Sequence, residues 1–165
     1  MRKTGIIAAD MSVPVALSYA LQDWLRKPYS DAPTPKASTP RGQDTRAIAL
    51  LSPVSNVPGR LVPAMRCAQE LKNPAWGVAM LICVSKGDRQ DRGTAKKIHE
   101  AIIADPRAKD RTYLQVGNGR WRGTDLIGKQ GTNTDELLLG FFRKHLMQLN
   151  NDWDKWRDRK SRLAN

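Results

Sequence analysis

Cysteine, histidine and long apolar runs are all scarce in this 165-residue sequence, and acidic side chains are outnumbered. The two cysteines, Cys67 and Cys83, allow no disulfide framework, and they form no CxxC pair. Two buried, reduced thiols are the expectation, which places the protein in the cytoplasm or inside a viral or phage particle. The two histidines, His99 and His145, have no Cys, His or carboxylate companions at ligand spacing, so a zinc site is not expected. No Gly-x-Ser-x-Gly elbow occurs. No stretch approaches the roughly 18 apolar residues of a membrane-spanning helix. The opening segment, MRKTGIIAADMSVPVALSYALQDWLRK, is basic and then apolar, but Asp10 interrupts it and no small-residue cleavage site follows. It therefore reads as part of the folded chain rather than as a secretory signal.

What is abundant is positive charge. With 28 Lys and Arg against 16 Asp and Glu, the formal charge is +12. The excess is not a tail. Residues 1–72 carry 10 basic and 5 acidic side chains, residues 86–122 carry 10 and 5, and residues 143–162 carry 7 and 3. A folded surface with basic faces fits this distribution and points to a polyanionic partner.

The apolar pattern predicts a mixed α/β (α+β) fold. It consists of a small sheet of about four strands, including a hairpin, packed by helices, with an N-terminal helical arm and a long C-terminal helix. Val13, Leu17, Leu21, Trp24 and Leu25 recur at helical spacing after Ser12, so residues 1–27 read as the arm. Residues 28–45 are rich in Pro, Ser and Thr and read as a linker, and the α/β body spans 46–165. Within the body, 47–51 and 76–84 read as buried strands. Residues 61–71 read as a helix with Pro63 in its first turn, and Thr94 is expected to cap a helix over 95–104. Residues 111–116 and 120–127 flank Gly117-Asn118-Gly119 and read as a hairpin. Asn133, with Glu136 three residues on, reads as the capping box of a final helix of up to about eight turns.

Four motifs bear on chemistry. Gly123 to Lys129 matches G-x-x-x-x-G-K, but Gln130 stands where a phosphate loop needs Ser or Thr for magnesium, and Asp125 would sit inside the cradle. A glycine-rich connection is the better reading. The loop before the Thr94 helix brings Arg89, Arg92, Lys96 and Lys97 to one region as candidate phosphate contacts; a solvated loop is the bland alternative. The segment RTYLQVGNGRWRG adds Arg111, Arg120, Trp121 and Arg122. Forked guanidinium donors suit phosphate, and an indole can stack on a base, although Trp more often packs in a core. Trp153 and Trp156, with Arg157 and Lys160, form a basic helix edge suited to docking a protein partner or to self-association rather than to a membrane.

Catalytic material is thin. Asp88 and Asp91 could hold magnesium only with a third carboxylate, and none is evident nearby in the sequence. The leading expectation is thus a non-enzymatic nucleic-acid-binding accessory protein, RNA or single strands favoured, with no cofactor. A structural component of a phage, viral or other nucleoprotein particle and a metal-dependent nuclease are the alternatives.

Overall fold

The computed structural model of the chain describes residues 3–34, 38, 41–55 and 64–148. Four strands form one wholly parallel sheet in the order β1-β2-β3-β4: β1 Thr4–Ala9, β2 Thr45–Leu51, β3 Ala79–Ser85 and β4 Thr112–Gly117. The connecting helices are α1 Ser12–Leu25, α2 Ala64–Leu71 and α3 Arg89–Ile103, and α4 Thr134–Phe142 follows β4.

Strand order equals chain order, so the three crossovers all step in one direction. Right-handed crossovers that step one way must place their helices on one face. Accordingly, Val13, Leu17, Ala20 and Trp24 of α1, Cys67 and Leu71 of α2 and Ala95, Ile98 and Ile102 of α3 share a core with Ile48, Leu50, Met80, Ile82 and Val84. The alternate strand residues Ala47, Ala49, Leu51, Ala79, Leu81 and Cys83 face the other way, where Leu126, Leu138 and Phe141 cover them. The central strands β2 and β3 are buried along their whole length; their one charged residue, Arg46, lies over the Trp24 ring and donates from Nη1 to the Trp76 carbonyl at 2.6 Å.

Several expectations are corrected. Residues 1–27 are not an arm apart from the body. Thr4–Ala9 form an edge strand parallel to β2, and Val13 and Leu17 have no solvent exposure. The apolar run GIIAA is short because it is a strand, and Asp10 ends it in a turn at φ 46°. The segment before β2 is tied back by the buried Asp23, whose Oδ2 accepts from the backbone N–H of Asp44 at 2.8 Å and Thr45 at 2.9 Å. Trp24 fixes the same end: its Nε1 donates to the Thr45 carbonyl at 2.9 Å, and its ring stacks on Trp76 at 5.6 Å.

The hairpin does not form. β4 runs parallel to β3, and the chain beyond it crosses the carboxyl end of the sheet into a 3₁₀ turn, Gly123–Leu126, that buries Leu126 on the second face. Helix α3 begins at Arg89, not after Thr94. Asp88 caps it, Oδ1 accepting from the Asp91 N–H at 3.0 Å. Asn133 makes no side-chain cap; it sits left-handed at φ 52°, and Asp135 instead accepts from the Gly128 N–H at 3.0 Å. After α4 the chain makes a π turn, Arg143–Met147. The remainder of the expected long helix, and Pro63 of the expected 61–71 helix, lie outside the described residues.

Candidate functional site

All four strands end at the same edge of the sheet. In open parallel sheets this carboxyl edge is where ligands bind, because loops from several strands converge there. Here Asp10 follows β1, Ser52 follows β2, Ser85 ends β3 with Asp88 and Asp91 just beyond, and Arg122 follows β4.

Arg122 is the hub. Its Nη2 lies 2.5 Å from Asp91 Oδ2, and its Nε donates to the same oxygen at 2.8 Å. The Nε also lies 3.6 Å from Asp10 Oδ1 and 3.6 Å from Asp88 Oδ2. Asp88 and Asp91 are almost wholly buried, whereas Asp10 and Arg122 are partly open to solvent. Burial pushes the Asp91 carboxyl above the usual carboxylate range, and the Arg122 hydrogen bond only partly offsets it. The same pairing raises the Arg122 guanidinium. Gly123, at φ +52°, packs its Cα directly on the Asp10 carboxylate, leaving no room for a side chain. Three buried atoms here, Ser52 Oγ, Ser85 Oγ and Asp88 Oδ2, make no hydrogen bond.

Asp10 is thus the third carboxylate that the sequence did not place. It was hidden because residues 1–27 read as a helical arm apart from the body rather than as a strand and helix of it. The trio is not arranged as a metal centre: no group of three or more Asp, Glu, His or Cys among the described residues could hold an ion. A guanidinium occupies the space between the carboxylates, where a cation would otherwise go.

The basic candidates divide into three sets. Arg89, Arg92 and Lys96 lie three and four residues apart on α3 and line one groove of about 520 Å³ beside β4. Arg92 Nη1 donates to the Lys86 carbonyl at 3.0 Å, and Lys96 Nζ lies 3.7 Å from Glu100. Lys97 is exposed but is not among the groove's lining residues. Arg120 packs on Gly87, two residues before Arg89, and Trp121 stands 41 % exposed with Lys129 Nζ 4.8 Å from its ring centre. Trp121 is therefore not a core residue, and Lys129 meets an indole rather than a phosphate cradle. The remaining two arginines are committed elsewhere. Arg122 belongs to the acid cluster. Arg111 lies at the opposite end of the sheet, where its Nη2 donates to the Lys72 carbonyl at 2.6 Å and burial lowers its affinity for a proton. Trp153, Trp156, Arg157 and Lys160 lie outside the described residues.

No described helix is long and apolar enough to cross a membrane. No family model, curated protein or solved structure matches the chain.

Proposed function

We propose that the protein is a non-enzymatic nucleic-acid-binding accessory protein, with single strands or RNA as its ligand. The observation that carries this reading is the gathering of Arg89, Arg92 and Lys96 on one groove, with Arg120 packed on Gly87, two residues before Arg89, and Trp121 exposed beside Arg120 in the chain. Ammonium and guanidinium groups along a groove suit a phosphate backbone, and an exposed indole offers a stacking surface that accepts any base. Arg122 plays no part in phosphate contact here; it holds the acid cluster that fixes the loop carrying Arg120 and Trp121. The unpaired buried thiols Cys67 and Cys83 accord with the cytoplasm or a particle interior.

The test is an anisotropy titration with a fluorescent oligouridylate across a salt series. Four to six neutralised phosphates give a slope of log affinity against log salt of about −3 to −4 for a single strand. Arg92→Ala and Arg120→Ala should each lower the steepness by about one unit. Trp121→Ala should weaken binding by about 1–3 kcal/mol with little change in slope. A slope near zero overturns the reading.

One observation favours a second reading, a structural part of a phage, viral or other nucleoprotein particle. Met11, Val15 and Tyr19 recur every four residues along the outside of α1, each more than half exposed, and Ile7 on β1 is 52 % exposed. Such a stripe suits an assembly contact. Light scattering on nuclease-treated protein separates the readings: a stable assembly without nucleic acid supports the second.

A further inference from the structure

Strand β4 is an open edge. Among the described residues it pairs with β3 alone, and its six residues, TYLQVG, carry neither charge nor proline. Folded proteins ordinarily protect such an edge with charge, proline, a bulge or a covering segment. Here the edge is flanked by a cavity on each face. On one face a cavity of about 700 Å³ runs between β4 and α4 and is lined by Tyr113, Gln115, Leu137, Phe141, Lys144 and His145. On the other, the 520 Å³ groove against α3 is lined by Val116 together with Arg89, Arg92 and Lys96. Leu114 lines both, so the two spaces meet along the strand. Val116 is 43 % exposed.

The two flanks differ in chemistry. The α4 side is floored by Leu81, Leu137 and Phe141, with the Tyr113 hydroxyl receiving Lys144 Nζ at 3.0 Å and meeting His145 Nε2 at 3.2 Å. On the α3 side three cations stand against the single carboxylate Glu100. An added strand places alternate side chains on opposite faces. The complementary strand therefore alternates acidic with apolar residues, acids toward α3 and apolar groups toward α4.

We propose that β4 captures an extended acidic segment of a partner protein as a fifth strand. Main-chain hydrogen bonds to β4 supply the affinity, and the α3 cations with the α4 apolar floor select the acidic–apolar alternation. Charge argues against the other occupants. The chain's own residues 149–165 carry five basic and three acidic side chains, and a second copy paired edge to edge would set two basic grooves side by side.

The experiment uses the full-length, nuclease-treated protein and a fluorescein-labelled peptide, Glu-Val-Glu-Phe-Glu-Val-Glu. It is compared with the same peptide N-methylated at alternate residues and with a version carrying Lys for Glu. The expected result is saturable binding with a Kd on the order of 100 µM or tighter. Binding should weaken about tenfold or more on N-methylation and on charge reversal. The double variant Arg92→Glu/Lys96→Glu, at two exposed positions of α3, should invert the preference toward the Lys peptide. Equal binding of all three peptides, or none, overturns the proposal. So does a sedimenting dimer dispersed by Leu114→Arg, which assigns the edge to a second copy. Strong hydrogen-exchange protection, in the peptide-free monomer, of the β4 amides that point away from β3 also overturns it, because the chain's own segment then covers the edge. Oligonucleotide binding is not part of the readout, so failure of the nucleic-acid reading leaves this result interpretable.

Discussion

On the face covered by α1, α2 and α3 the two central strands present Ile48, Leu50, Met80, Ile82 and Val84; on the face covered by α4 they present Ala47, Ala49, Ala79 and Cys83 beside Leu51 and Leu81. The first face receives three helices and is a deep aliphatic core. Among the described residues the second receives one helix, and its small residues let the rings of Phe141 and Phe142 come close to the sheet. Burial nevertheless holds on both faces, and it pushes the Cys83 thiol up to about 12. The lesson is that one alternating pattern encodes two layers of different thickness. The crossing to the second face, after β4, also carries Arg122 and Gly123 to the acid cluster, and among the described residues the β4 edge between α3 and α4 pairs with no second strand.

Truncations measure that difference most directly. Ile82→Ala, at a position with no exposure in the deep core, should lower unfolding free energy by about 3–4 kcal/mol. Leu138→Ala, at the thinner and slightly exposed second face, should cost about 2 kcal/mol. Urea unfolding gives both values, and equal costs would break the comparison.

A smaller effect tests how closely the second layer sits. A Cβ on Gly5 would lie 2.7 Å from Leu146 Cδ1 and 2.8 Å from Phe142 Cε1. Gly5→Ala should therefore destabilise by about 1 kcal/mol through overpacking, although alanine suits a strand better than glycine does. An unchanged or raised stability would mean that the π turn after α4 yields freely.

The smallest effect is on pH. Burial is the main cause that lowers the proton affinity of both His99, beside the first layer, and His145, beside the second. A histidine held below its ordinary value of about 6.5 contributes stability that is present above that value and lost as pH falls through the folded one. Asp91 has the opposite sign: its raised carboxyl contributes at low pH and loses that contribution as pH rises through its folded value. Two histidines oppose this one carboxyl, so Tm should fall on acidification between pH 7 and 5. His99→Gln and His145→Gln should each remove part of that fall, and the double variant most of it. A full acid response in the double variant clears both residues and leaves the two layers equivalent in this respect.

Much of the architecture was legible in the chain. The apolar runs 47–51 and 76–84 announced buried strands, and Leu61, Met65, Ala68 and Leu71 announced a helix, whose buried residues are Ala64, Cys67, Ala68 and Leu71. Two short-range readings failed for a shared reason. The β1 run was too short to distinguish from the start of an apolar helix, and Gly117-Asn118-Gly119 has the composition of a hairpin turn. Local propensity is the same whether the next segment returns beside β4 or crosses the sheet edge. The alternative that wins buries Leu126 and pairs Arg122 with Asp91.

By itself the sequence determined the fold class, the basic character and the two candidate acids, Asp88 and Asp91, because each depends on residue type or on spacing within one element. Only the tertiary structure decided that Asp10 joins those acids, that Arg122 pairs with them, and that Arg111 turns to the far end of the sheet. These partners are separated by tens of residues in the chain. They meet because parallel crossovers return every strand to the same carboxyl edge, a geometric consequence that no local pattern carries.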